Sequence, residues 1–64
     1  MKGNIRNLRV ARGLSVKDLA SEVGVSAMTI YRYETGKRNP TILIAYRMAR
    51  ALGVTVDELI KKAG

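Results

Sequence analysis

Three residues, Gly24-Val25-Ser26, separate two segments that each carry a full set of helix boundary signals. Ser15 reads as an N-cap with Asp18 three residues on as the acidic half of a capping box. Leu14 and Leu19 occupy the flanking staple positions, so a helix is predicted over 16–23, stopped by Gly24. Ser26 then starts the next helix, with Val25 and Ile30 as its staple, and this helix is predicted over 27–34 and closed by Gly36. A link this short forces the two helices into a tight, roughly right-angled crossing. Ala20 is small where the second helix must pass close to the first. Leu19, Val23, Ile30 and Tyr33 are the side chains whose packing would fix the angle.

The rest of the chain is punctuated in the same way. Residues 4–12 place Ile5, Leu8 and Ala11 at helical spacing, and Gly13 supplies a left-handed stop. Asn39-Pro40 reads as an N-cap followed by proline at the first helical position, where a missing N–H costs nothing. A fourth helix is therefore predicted over 40–52, with Ile42, Ala45, Met48, Ala49 and Leu52 on its inner face and Gly53 as its end. Thr55 and Glu58 form another capping-box pair, with Val54 and Leu59 as staple, and Lys61 and Lys62 close a fifth helix where cations favour the dipole. No strand pattern occurs. The fold class is all-α, with five short helices.

The 64 residues suffice for one small domain. Lys and Arg total 12 against 5 Asp and Glu, a formal charge of +7, which favours a polyanionic partner through steering and counterion release. Solubility alone is the blander account of that charge. The chain lacks cysteine and histidine, so disulfides, the usual zinc ligands and the commonest general base are all excluded. No metal site, cofactor or small-molecule ligand is expected. No nucleophile stands beside a base and no glycine loop cradles phosphate, so an enzyme is not expected. No apolar run is long enough to span a membrane, and Met1-Lys2-Gly3-Asn4 does not begin a signal peptide; the expected location is cytoplasmic.

Taken together, Leu14-Ser15, Leu19-Ala20, Gly24-Val25-Ser26, Thr29-Ile30, Tyr33-Glu34, Gly36-Lys37 and Pro40 form a spaced pattern that resembles the Cro and phage-repressor helix-turn-helix family, often called Xre. Ile5-Arg6 with Leu8-Arg9 resembles the first helix of that family. Ala49, Ala51-Leu52-Gly53-Val54 and Asp57-Glu58-Leu59 resemble its last two. The similarity covers nearly the whole chain. It implies a lambda-repressor-like domain over residues 1–64, with the helix-turn-helix motif at about 16–35. The implied function is sequence-specific binding of double-stranded DNA by a prokaryotic or phage transcriptional regulator, a repressor before an activator.

In such proteins the helix after the turn lies in the major groove and reads bases from its N-terminal half. Carried over by position, the outward face comprises Ser26, Ala27, Met28, Tyr31 and Arg32, with Ala27, Met28, Tyr31 and Arg32 as base readers. Arg32 fits either a bidentate contact to guanine O6 and N7 or a phosphate. Ala27 and Met28 stand where relatives often carry Gln, and they suit apolar contact with thymine methyls. Phosphate contacts are implied for Val16, Lys17, Ser26, Thr29, Lys37, Arg38, Asn39 and Arg9. Val16 departs from the Gln common at its position and would act only through the amides of the helix start. The resemblance also implies a partly buried salt bridge between Arg9 and Glu34.

A protein-interaction module, such as an antitoxin or adaptor on the same fold, is the alternative from another class. Leu43 and Ile44 are apolar where relatives usually place polar residues. An exposed Leu43 is either an isolated surface group or part of a contact. A homodimer on DNA is expected, since one module reads only a few base pairs and two half-sites one turn apart are needed. Its candidate surface is Leu43, Ile44, Val54, Val56 and Ile60.

Overall fold

In the computed structural model, side-chain hydroxyls start four of the five helices: α2 (Val16–Val23), α3 (Ala27–Glu34), α4 (Ile42–Leu52) and α5 (Val56–Ile60) are capped by Ser15, Ser26, Thr41 and Thr55. The first helix, α1 (Ile5–Ala11), begins after Asn4 without a side-chain cap. The structure describes residues 3–61, and no strand occurs among them. At Ser15 the capping box is complete, since the Ser15 amide donates to Asp18 Oδ2 at 3.0 Å and the Asp18 amide donates to Ser15 Oγ at 3.0 Å. At Thr55 the hydroxyl half forms, with the Glu58 amide donating to Thr55 Oγ1 at 3.1 Å.

Two boundaries differ from the sequence expectation by more than one residue. Helix α4 starts at Ile42, so Asn39 and Pro40 are not its cap and first residue. Thr41 takes that role because its backbone is extended (φ −67°, ψ 165°) and its hydroxyl accepts the Ile44 amide at 3.2 Å. Lys61 is the extended residue that follows α5. Lys62, like Met1 and Lys2, lies outside the described residues.

Each helix supplies one side chain with no solvent exposure to a common core: Ile5, Leu19, Ile30, Met48 and Leu59. Helix α2 packs against α3 on one flank and α4 on the other, while α5 packs against α4 and α1. The two ends of the described chain meet where the Asn4 amide donates to the Leu59 carbonyl at 2.9 Å. Gly3 permits that approach, since a Cβ there would stand 2.7 Å from the same carbonyl oxygen. Between α2 and α3 the chain reverses at Gly24, whose left-handed φ of 85° a side chain would strain. The Gly24 and Val25 amides both donate to the Ala20 carbonyl, which ends α2 and sets the entry to α3.

Two expected core residues face solvent instead. Ala11 is exposed, and α1 turns Ile5, Leu8 and Arg9 inward. Ile42 is 91% exposed, while Ile44 packs against the core four residues before Met48. Helical periodicity leaves Ile42 and Ile44 at opposite edges of the α4 stripe. Only the edge with a neighbour can bury its side chain, and that is a tertiary matter.

Candidate nucleic-acid interface

Helix α3 presents two faces of different chemistry. Ile30 and Tyr33 are buried in the core, and the opposite stripe of Ala27, Met28, Tyr31 and Arg32 is exposed. These four residues fall at i, i+1, i+4 and i+5, so they form one band along the helix. The Ser26 hydroxyl accepts the Thr29 amide at 3.2 Å and bonds the Thr29 hydroxyl at 2.9 Å. Both hydroxyls are thereby engaged in the cap, and Thr29 is half-buried.

Past α3, the Lys37 and Arg38 amides donate to the same Arg32 carbonyl, at 2.9 and 3.3 Å. The loop is thus folded back onto the helix end, and it carries the exposed Lys37, Arg38 and Asn39 beside Arg32. The Thr35 hydroxyl donates to the Tyr31 carbonyl at 3.0 Å and completes this end of the helix.

At the start of α2, Val16 is half-buried against the core and Lys17 is exposed. The first-turn amides of a helix point outward and favour an anion. Here Asp18 puts a carboxylate in that first turn, where it accepts the Ser15 amide. Its pKa is lowered first by the Ser15 amide, then by the Ser15 hydroxyl, with Lys17 adding a smaller effect against slight desolvation. Lys17 is therefore the residue at this end able to offer a phosphate net positive charge.

Arg9 lies behind this surface. Its Nε donates to Glu34 Oε2 at 2.6 Å, its Nη2 to Glu34 Oε1 at 3.2 Å and its Nη1 to the Leu14 carbonyl at 2.8 Å. The side chains of Arg9 and Glu34 are 10% and 5% exposed. One guanidinium thus pins the end of α3 to α1 and to the loop before α2. So enclosed, Arg9 has little surface to offer a phosphate.

Of the residues considered for contact between chains, Leu43 and Ile60 are exposed, whereas Ile44, Val54 and Val56 are partly buried against their own core. Sequence reasoning missed two further exposed apolar side chains of α4, Ile42 and Tyr46, which lie one turn apart. It also missed a cleft of about 590 Å³ between α2 and α4, lined by Glu22, Gly24, Arg47 and Arg50 among others. A helical wheel shows which residues share a face but not which helix lies alongside. Among the described residues no cluster of three or more potential metal ligands occurs, and no helix is long and apolar enough to cross a membrane.

The family model described as helix-turn-helix matches residues 5–59. The chain belongs to this family of DNA-binding transcription regulators. It is 37% identical over 59 residues to an HTH-type transcriptional regulator of Archaeoglobus fulgidus, covering 92% of this chain and 84% of that one. It is 36% identical over 56 residues to the cryptic phage CTXphi transcriptional repressor RstR of Vibrio cholerae, covering 88% of this chain and 50% of the repressor. Among solved structures it is similar to the restriction-modification controller protein C.AhdI of Aeromonas hydrophila, with a TM-score of 0.82 and 34% identity over 86% of this chain and 83% of that one.

Proposed function

We propose that the protein is a cytoplasmic repressor that binds an inverted-repeat operator as a homodimer, with α3 in the major groove of each half-site. The chain as a whole serves as one DNA-binding module, with no catalytic step and no small-molecule effector. The observation that carries this is the outward stripe of Ala27, Met28, Tyr31 and Arg32 on α3, which a three-residue link joins to α2 and the Arg9–Glu34 pair ties to α1. Such a stripe is the outward face of the second helix of a helix-turn-helix and is flanked by cations that can track phosphates.

Lys17 at one end and Lys37 with Arg38 and Asn39 at the other form the backbone clamp. Ser26 and Thr29 act as the cap that holds the reading end of α3. Repression follows from occluding a promoter, in keeping with the similarity to a phage repressor. The exposed apolar side chains Ile42, Leu43, Tyr46 and Ile60 supply the contact between copies. Ile44, Val54 and Val56, partly buried against their own core, contribute less to it.

Selection of bound sites from a random duplex library at near-physiological salt tests the proposal. An enriched inverted repeat with half-sites about one helical turn apart is expected. Binding that enriches no sequence and simply fades with salt would leave only non-specific attraction of the +7 charge. An interaction module with an exposed Leu43 would then be the better account.

A further inference from the structure

We propose that α3 recognises the C5-methyl group of a pyrimidine, so that thymine and 5-methylcytosine are equivalent opposite Met28 and their unmethylated counterparts are not. This rests on the assignment of α3 as the helix that reads the major groove.

The chemistry of the exposed stripe is what points there. Met28 is 57% exposed and is flanked by the exposed Ala27. Helix α3 contains no Asn, Gln, Asp or Lys, so no side chain on it pairs bidentately with the adjacent donor and acceptor of adenine; the exposed Tyr31 hydroxyl offers one polar atom only. Glu34, the one carboxylate that could accept from cytosine N4, has both oxygens on Arg9. The Ser26 and Thr29 hydroxyls are bonded to each other. Arg32 remains as the single fork-shaped donor, suited to guanine. Opposite Met28, the only feature that distinguishes one base pair from another for an apolar side chain is the methyl group at pyrimidine C5. Cytosine acquires the same group when methylated.

The helix fixes the spacing. Met28 and Arg32 are four residues apart, about 6 Å along the axis, which is less than two base-pair steps of roughly 3.4 Å. The methyl-bearing pyrimidine should therefore fall within about two base pairs of the guanine read by Arg32. Removing one methyl from water at the interface is worth about fourfold in affinity, or about fifteenfold when both half-sites of a dimer are changed.

The test uses the full chain and the duplex obtained by site selection. Each thymine near the guanine is replaced in turn by deoxyuridine, and the sensitive position is then rebuilt as a 5-methylcytosine·guanine or a cytosine·guanine pair. At that position thymine and 5-methylcytosine should bind within about twofold of each other, and uracil and cytosine about fourfold more weakly. Met28→Ala, at a position more than half exposed and outside the core cluster, should keep the fold by circular dichroism and should bind all four duplexes alike.

Specific binding that is indifferent to uracil at every thymine would overturn the proposal. So would 5-methylcytosine binding no better than cytosine, or a methyl preference that survives Met28→Ala. A selection that enriches no sequence would instead remove the groove-reading assignment itself, and this proposal with it.

Discussion

Glu34→Ala should unfold much of this domain's stability margin, and the reason lies in the geometry around Arg9. Both Glu34 oxygens accept from Arg9, at 2.6 and 3.2 Å, and the two side chains are 10% and 5% exposed. Truncating the carboxylate leaves a guanidinium with neither water nor counter-charge on two of its nitrogens. Breaking such a buried pair from one side costs about 3–5 kcal/mol. A chain of 64 residues has a total stability of only about 3–10 kcal/mol. With a shift of roughly 4–8 °C per kcal/mol in a domain of this size, the melting temperature should fall by about 12 °C or more. Circular dichroism with heat and with urea measures this, and an unchanged urea slope would show that the folded state is otherwise intact.

The double variant Arg9→Met with Glu34→Leu removes both charges and keeps apolar volume. It should recover at least half of the loss, because the penalty in the single variant is chiefly the orphaned charge. A Glu34→Ala variant melting within about 3 °C of the parent would refute this reasoning, since that is less than 1 kcal/mol. A double variant as unstable as the sum of the two singles would refute it as well.

Gly24→Ala should cost about 1–2 kcal/mol through backbone strain alone, because φ is +85° while the nearest heavy atom, Arg47 Nη1, would be 3.9 Å from the new Cβ; chemical denaturation reads this. Asp18 has a folded pKa below its unfolded value, so its contribution is present above about pH 4 and is lost as pH falls through the folded pKa. Asp18→Asn should flatten that acid limb in a series of melts. Lys37→Ala should lower the slope of log affinity against log salt by about one, with little change in which sequence is preferred. Leu43→Asp should weaken self-association by sedimentation and reduce the benefit of a second half-site, while a single half-site binds as before.

The order and extent of α2 and α3 were legible in the sequence because their ends are local chemistry. Ser15 with Asp18, Ser26, and a glycine at the reversal each act within a few residues of themselves. The outward stripe of α3 followed too, since Ile30 and Tyr33 left one face for the core and the other for solvent. At α4 the same logic took Asn39-Pro40 as the start and did not consider Thr41. The Thr41 hydroxyl, which accepts the Ile44 amide, is the cap the structure shows.

What only the tertiary structure decided is which groups have neighbours. Ile42 and Ile44 are alike in residue type and flank the α4 stripe on opposite edges, yet one is 91% exposed and the other packs on the core. Charge alone would put Arg9 at the surface, and only the family resemblance paired it with Glu34. It is enclosed because α3 brings Glu34 to it from 25 residues away. Local propensity determines where a helix begins and ends, but burial depends on what lies across from it, and that is set only once the helices pack.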